Sequence, residues 1–183
     1  VHHMADQIIA FTNARDGHPL PLRIIREHQP LGTGGAVANA FHILGAKGPW
    51  LVINGDTHFN FDIATVLKAH QCLDAGLTVT IAEVKNAARF GTVLCSGDKI
   101  TGFLQARGVE EPGSVNCGAY IIEPEVMKQA PSGKFSIEID FFPDLAKKRQ
   151  LNAVEIAPEQ AFFDIGTPEA YDEFCSRHRV ATE

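Results

Sequence analysis

Two aspartates in this chain follow short apolar runs. Asp56 lies in Asn54-Gly55-Asp56-Thr57, directly after Trp50-Leu51-Val52-Ile53. Asp164 lies in Phe162-Phe163-Asp164-Ile165-Gly166-Thr167-Pro168. A carboxylate at the C-terminal end of a buried strand sits where open α/β sheets bind ligands. A hard cation such as Mg²⁺ needs one or two protein carboxylates, and phosphate oxygens and water complete its shell. Read singly, Asp56 suits equally a turn after its strand, and Asp164 suits the start of a helix, where an acidic side chain is favourable without any metal. His58 stands two positions after Asp56, so a D-x-D pair of the glycosyltransferase type is absent.

A second candidate is Gln29-Pro30-Leu31-Gly32-Thr33-Gly34-Gly35-Ala36. Its glycines let backbone approach a flat or anionic ligand, and the helix that follows offers unpaired N–H groups. The same residues serve equally well as a tight strand-to-helix turn. No Gly-Lys-Ser/Thr follows, so this is not a P-loop. Weaker marks are Phe90-Gly91-Thr92, Asn116-Cys117-Gly118 and Glu138. Gly118 interrupts a strand and so suggests a close backbone approach, whereas a lone helical glutamate such as Glu138 reads first as a solvated side chain. The eight histidines show no metal-binding spacing such as H-E-x-x-H.

The elements that must position these residues alternate. Helices are expected over 5–13, 34–44 and 62–73, and strands over 22–27, 50–53 and 77–84. A turn at 16–19 closes the first helix. The continuous apolar run at 50–53 suits a central parallel strand buried on both faces. The pattern then changes to a hairpin, 91–94 and 99–104 around Ser96-Gly97-Asp98, and a strand at 115–122. A helix capped by Ser136 runs to 149, strands follow at 151–156 and 162–164, and a last helix starts at Thr167-Pro168. The expectation is one α/β domain over 1–183, in three layers, with a mainly parallel central sheet and a small antiparallel hairpin region.

With 183 residues and 45% hydrophobic content, the chain can bury a core. Its net charge of -6, without any Lys/Arg run, argues against nucleic acid and anionic membrane surfaces as partners. Any phosphate must therefore be held locally, by backbone amides, a few cations or a metal. Cys72, Cys95, Cys117 and Cys175 form no C-x-x-C pair and sit in mostly apolar stretches. They read as reduced thiols of a cytoplasmic protein.

The order of the motifs says more than any one of them. Q-P-L-G-T-G-G-A, N-G-D-T, F-G-T-V, G-F-L, V-N-C-G-A-Y, F-S-I-E-x-D-F-F-P and F-F-D-I-G-T-P-E-A-Y together resemble the sugar-phosphate nucleotidyltransferase family. The pattern is most similar to its D-glycero-D-manno-heptose 1-phosphate guanylyltransferase branch, and is also similar to mannose-1-phosphate guanylyltransferases and N-acetylmuramate 1-phosphate uridylyltransferases. The resemblance spans essentially the whole chain and implies a Rossmann-like, GT-A-like fold. It implies transfer of a nucleotidyl group from an NTP, GTP first, to a sugar 1-phosphate in nucleotide-sugar biosynthesis for cell-surface polysaccharide, with homo-oligomer formation left open.

Carried over by position, the resemblance gives Gln29 the base, with Gly32, Thr33, Gly34 and Gly35 around the nucleotide. It makes Asp56 and Asp164 the catalytic ligands of Mg²⁺. Gly91, Gln105, Asn116 and Gly118 fall in the sugar pocket. The chain departs from the family where a Glu-Lys pair usually follows the G-F-x strand, since Gln105 and Ala106 stand there and Arg107 comes next. A G-G-x-G-T-R triphosphate loop is also missing before Val1. These departures lead to the expectation of an N-terminally incomplete chain that by itself does not catalyse transfer at a useful rate. They also keep two other readings open, a UTP-dependent amino-sugar 1-phosphate uridylyltransferase and a non-catalytic nucleotide-sugar-binding pseudo-enzyme.

Overall fold

The computed structural model describes residues 1–14, 20–45, 47–73, 76–106, 108–156 and 162–178. The turn expected at 16–19 and the cation at Arg107 lie outside the described residues. In chain order the elements are α1 (Ala5–Asn13), α2 (Gly32–Leu44), β1 (Trp50–Ile53), β2 (Thr57–Phe59), α3 (Ile63–Cys72), β3 (Leu77–Val84), β4 (Thr92–Ser96), β5 (Lys99–Leu104) and β6 (Gly113–Ile122). They continue with α4 (Pro124–Met127), a π-helical turn (Ile137–Phe141), α5 (Phe142–Lys147), β7 (Leu151–Glu155), β8 (Phe162–Asp164) and α6 (Pro168–His178).

Six strands form one sheet in the order β1-β6-β3-β7-β5-β4, and β2 and β8 form a second, two-stranded one. Strands β1, β3, β7 and β4 share one direction, which for β1 and β3 is what the alternating first half leads one to expect. Antiparallel β6 is inserted between β1 and β3, however, so β3–β7 is the one parallel ladder among the described pairs. The inserted strand is reached from the β4–β5 hairpin rather than through a helix, so the crossover that parallel pairing requires is lacking there.

Apolar residues cover both faces of the sheet, which gives the three layers. Leu77, Val79 and Ile81 of β3 join Tyr120, Ile122 and Leu151 against Phe41 of α2, Val126 and Met127 of α4, and Phe141, Phe142 and Leu145. Ala82, Cys117, Ile121 and Ile156 pack on the opposite face against Val66 of α3, with Phe61 and Phe162 at the border. Alternation along β3 thus feeds two cores. Helix α3 starts where expected, because the Asp62 carboxylate accepts from the Ala64 amide and the Thr65 hydroxyl. Its buried His70 spans from the Thr78 hydroxyl (2.8 Å) to Glu123 (3.3 Å), tying α3 to the sheet.

Three expectations are corrected. The segment 22–27 is not a strand. Its backbone bonds run to Val1, from the Val1 amine to the Ile25 carbonyl and from the Glu27 amide to the Val1 carbonyl, and these do not make a ladder. Strand β1 is not central and doubly buried but lies at the sheet edge. Trp50 stacks on Phe41 at 4.1 Å, while Leu51 and Ile53 on the other side remain 39% and 55% exposed. The helix expected over 136–149 opens as a π-helical turn before α5. Pro143 has no N–H to donate to the carbonyl four residues back, which disfavours a regular α-turn there. The start is otherwise well capped, since Ser136 Oγ accepts from the Ile139 amide and the Asp140 carboxylate accepts from the Ser136 amide.

The glycines of α2 meet the segment before this turn. A Cβ on Gly34 would lie 2.1 Å from the Phe135 ring and 2.9 Å from the Ile137 nitrogen. Gly34→Ala is therefore expected to lose about 1–3 kcal/mol, a typical overpacking cost. The expected reading is a lower urea midpoint with an unchanged m-value.

Candidate active site

Strands β2 and β8 pair Thr57 with Asp164, and the Ile165 amide donates to the Asp56 carbonyl at 2.9 Å. This short ladder sets Asp56 and Asp164 side by side although they are far apart in the chain. Between them lies Gly166. A Cβ there would be 3.0 Å from Asp164 Oδ1 and 3.2 Å from Asp56 Oδ2, so the missing side chain leaves a space that both carboxylates border. The Gly166 amide donates to Asp164 Oδ1 at 2.9 Å, and Arg89 donates to Asp164 Oδ2 at 3.3 Å. Two carboxylates with room between them fit a hard divalent cation that draws its remaining ligands from phosphate and water. Among the described residues no third His, Cys, Asp or Glu joins them, so such an ion would depend on substrate oxygens.

Both aspartates line a cavity of about 530 Å³, within the range of small-molecule sites. Gly91, Gln105, Asn116 and Gly118 line it too, so the start of β4, the end of β5 and the middle of β6 reach one place. Gly118 has φ of +75°, and a Cβ on it would meet the Asn54 amide nitrogen at 2.5 Å. The close approach at this glycine is thus made by Asn54, whose backbone amide also donates to the Gly118 carbonyl. Gly91, with φ of +74°, closes onto the Leu104 carbonyl, where a Cβ would lie 2.5 Å away. That contact brings the 89–91 turn against the end of β5.

Glu138, read from sequence as a solvated side chain, lines the same cavity. Its Oε1 accepts from Asn116 Nδ2 at 2.6 Å and from the Tyr120 hydroxyl at 3.1 Å. Asn116 also donates to the Tyr120 oxygen at 2.9 Å, and its own Oδ1 accepts from the Gly118 amide. Burial, reinforced by the neighbouring Glu138 charge, pushes the Tyr120 hydroxyl well above the usual phenol range, so it stays a neutral donor. The π-helical turn places Glu138 here, and a regular helix periodicity gives no sign of it. Arg89 was likewise missed, and its one sequence signal is adjacency to Phe90-Gly91-Thr92; Asn54 belongs to the Asn54-Gly55-Asp56-Thr57 motif, but no role at the cavity follows from the sequence. Phe90 and Phe162 meet edge to face at 5.7 Å and form an apolar wall.

The glycine-rich turn lies outside this cavity. Gln29, Gly32 and Thr33 are exposed. The Gly34 and Gly35 amides, expected to face a ligand, both donate to the Phe135 carbonyl (3.1 and 3.3 Å), and Thr33 Oγ1 accepts from the Ile137 amide at 3.1 Å. What Gly34 and Gly35 do here is admit the 133–137 segment. That segment leads directly into Glu138, so the turn and the cavity share a wall.

A family model described as "Nucleotidyl transferase" matches residues 3–178. The D-glycero-alpha-D-manno-heptose 1-phosphate guanylyltransferase of Aneurinibacillus thermoaerophilus is 31% identical over 156 residues, covering 84% of this chain and 66% of that protein. The Danio rerio mannose-1-phosphate guanylyltransferase catalytic subunit beta is also 31% identical over 156 residues, covering 83% of this chain and 42% of that protein. The chain thus spans less than two thirds of the length of these relatives. The crystal structure of HddC from Yersinia pseudotuberculosis superposes with a TM-score of 0.84 at 30% identity, covering 97% of this chain and 76% of that one. A second HddC structure, complexed with GMP-PN, superposes with a TM-score of 0.82 at 29% identity, over 98% of this chain and 76% of that one. Among the described residues no helix is long and apolar enough to cross a membrane.

Cys117 lies at the cavity lining but is 1% exposed, and burial pushes its thiol up to about 12. The thiolate is the reactive form. Iodoacetamide at pH 8 is therefore expected to label exposed Cys72 and to spare Cys117 in the native protein, with both labelled in urea. Peptide mass spectrometry reads the difference, and rapid native labelling of Cys117 would contradict the packing of β6.

Proposed function

The chain belongs to the nucleotidyl transferase family, and from that premise we propose that its function is transfer of a nucleotidyl group from GTP to a sugar 1-phosphate, with release of pyrophosphate. The observation that carries this reading is the convergence of Asp56 and Asp164 on Gly166 at a cavity also lined by Gly91, Gln105, Asn116, Gly118 and Glu138. The naming of similar proteins as guanylyltransferases, and the GMP-PN complex of HddC, support guanine over other bases.

The reaction needs no protein nucleophile. A phosphate oxygen of the sugar 1-phosphate attacks the α-phosphorus in line, the new P–O bond forms, and the bond to the β-phosphate breaks as pyrophosphate leaves. The protein aligns the partners and offsets charge. Asp56 and Asp164 would hold Mg²⁺, which when bound would supply charge neutralisation at the phosphates. Glu138, held by Asn116 and Tyr120, keeps its Oε2 as an acceptor for sugar hydroxyls. Gln105 adds a donor and an acceptor on the facing wall.

Ala106 lines the cavity without offering a charge, and Gln105 is neutral. These two positions favour a second reading, a binder of nucleotide sugars without catalysis. Pyrophosphate release by the full-length protein, with GTP or UTP, Mg²⁺ and a panel of sugar 1-phosphates, separates the readings. Asp56→Asn and Asp164→Asn are each expected to lower kcat by about 10²–10³, the typical cost of losing one electrostatic stabiliser of the transferring group. A wild-type protein that binds nucleotide sugars but releases no pyrophosphate would leave the binding reading. Gln29 is assigned to the base, so Gln29→Ala is expected to change the ratio of kcat/KM for GTP to that for UTP. An unchanged ratio would remove Gln29 from base selection.

A further inference from the structure

We propose that Arg89 is the cation that binds the phosphate of the sugar 1-phosphate, an inference that rests on the function proposed above. The cavity is lined by Asp56, Asp164 and Glu138, all acidic, and among its described lining residues Arg89 is the one Lys or Arg. A phosphate monoester entering this cavity meets a lining that carries these three carboxylates. It needs a fixed positive charge besides whatever ion the aspartates hold, and position 106 on the adjoining wall is an alanine.

Arg89 is built to supply that charge. It sits in a tight turn in which the Phe90 and Gly91 amides both donate to the Ala87 carbonyl (3.0 and 3.3 Å). Gly91 then backs onto the Leu104 carbonyl and the Ala106 nitrogen, with a Cβ there 2.5 and 3.1 Å from them. The turn that carries Arg89 thus packs against the end of β5, while its guanidinium reaches Asp164 within the same cavity. Its guanidinium lies over the Phe90 ring, 5.5 Å from the centroid, which limits the orientations of its plane. Its one carboxylate contact among the described residues, to Asp164 Oδ2, is 3.3 Å long, beyond the range of about 2.7–2.9 Å for a tight charge-assisted bond. The side chain is 57% exposed. A single long, exposed ion pair contributes little to stability, so anchoring the fold is a weak reason for an arginine here. Most of its five N–H donors remain available for phosphate oxygens, which the planar fork suits.

The test uses the full-length protein and three forms of position 89: wild type, Arg89→Gln and Arg89→Lys. The probes are D-mannose 1-phosphate and D-glycero-D-manno-heptose 1-phosphate with GTP and Mg²⁺. Arg89→Gln is expected to raise KM for the sugar 1-phosphate about 10- to 100-fold, the usual range for losing a hydrogen bond to a charged group, with KM for GTP within about twofold; Arg89→Lys should recover part of the loss. A second readout needs no turnover. Phenylglyoxal modification of Arg89, mapped by peptide mass spectrometry, should slow in the presence of the sugar 1-phosphate that the wild type uses and not in the presence of the same sugar without phosphate. Unchanged KM values with a lower kcat and a higher Mg²⁺ requirement would overturn the proposal and leave Arg89 as a positioning residue for Asp164. A rise confined to KM for GTP would overturn it in favour of the triphosphate. Wild-type protein that turns over no sugar 1-phosphate of the panel defeats the functional reading itself, and this inference with it.

Discussion

Everything at the candidate site depends on the two-stranded ladder between β2 and β8. Each strand has three residues, too short to be stable alone. The ladder persists because Phe162 reaches the core face shared with Val66 and Ile121, and because α6 follows directly, with the Thr167 hydroxyl accepting from the Ala170 amide. The outcome is that two carboxylates from distant parts of the chain border one small space at Gly166. Placing like charges together disfavours the bare site, and a cation between them reverses the sign of that interaction. The ladder holds the aspartates where they would otherwise repel apart.

The second organising contact is the 133–138 segment. Its Phe135 carbonyl takes two amides from the start of α2, its Ile137 amide goes to Thr33, and the following π-helical turn carries Glu138 into the cavity. One stretch of backbone is therefore shared by the glycine-rich turn, proposed to meet the base, and the cavity wall, proposed to meet the sugar. Close packing makes this coupling stiff, because Gly32, Gly34 and Gly35 leave no room for a Cβ.

Electrostatics give the cavity its character. The chain carries net charge -6, and the lining holds three carboxylates to one guanidinium. No long-range field draws phosphates in, so the proposed recognition of an anionic substrate falls to local devices, a cation between Asp56 and Asp164 and the Arg89 guanidinium. The Asn116–Tyr120–Glu138 network works in the same way at short range. It keeps a carboxylate oriented by two donors in a partly dry setting, where those bonds are stronger than in water.

Much of this was legible in the chain. Regular elements with clean periodicity, such as α3 and β3, fell within a residue or two of their expected bounds, since helical spacing, an Asp cap and an apolar run are local signals. Asp56, Asp164, Gly91, Gln105, Asn116 and Gly118, singled out by the order of their motifs, line one cavity, whereas Gln29, Gly32, Thr33, Gly34 and Gly35 lie outside it. Non-local pairing was not legible. The run Trp50-Leu51-Val52-Ile53 looks the same in a central or an edge strand, and only its ladder with β6 decides which. The segment 22–27 has strand-like residues but joins neither sheet among the described residues. Glu138 looked like a surface glutamate because the π-helical turn that redirects it is caused by Pro143 and by packing against Thr33, neither of which a periodicity reads. Local hydrogen bonding and spacing therefore determine the elements and the chemistry of their ends. Which ends meet, and which amides remain free once they do, is settled by contacts between residues distant in the chain, and only the tertiary structure contains those.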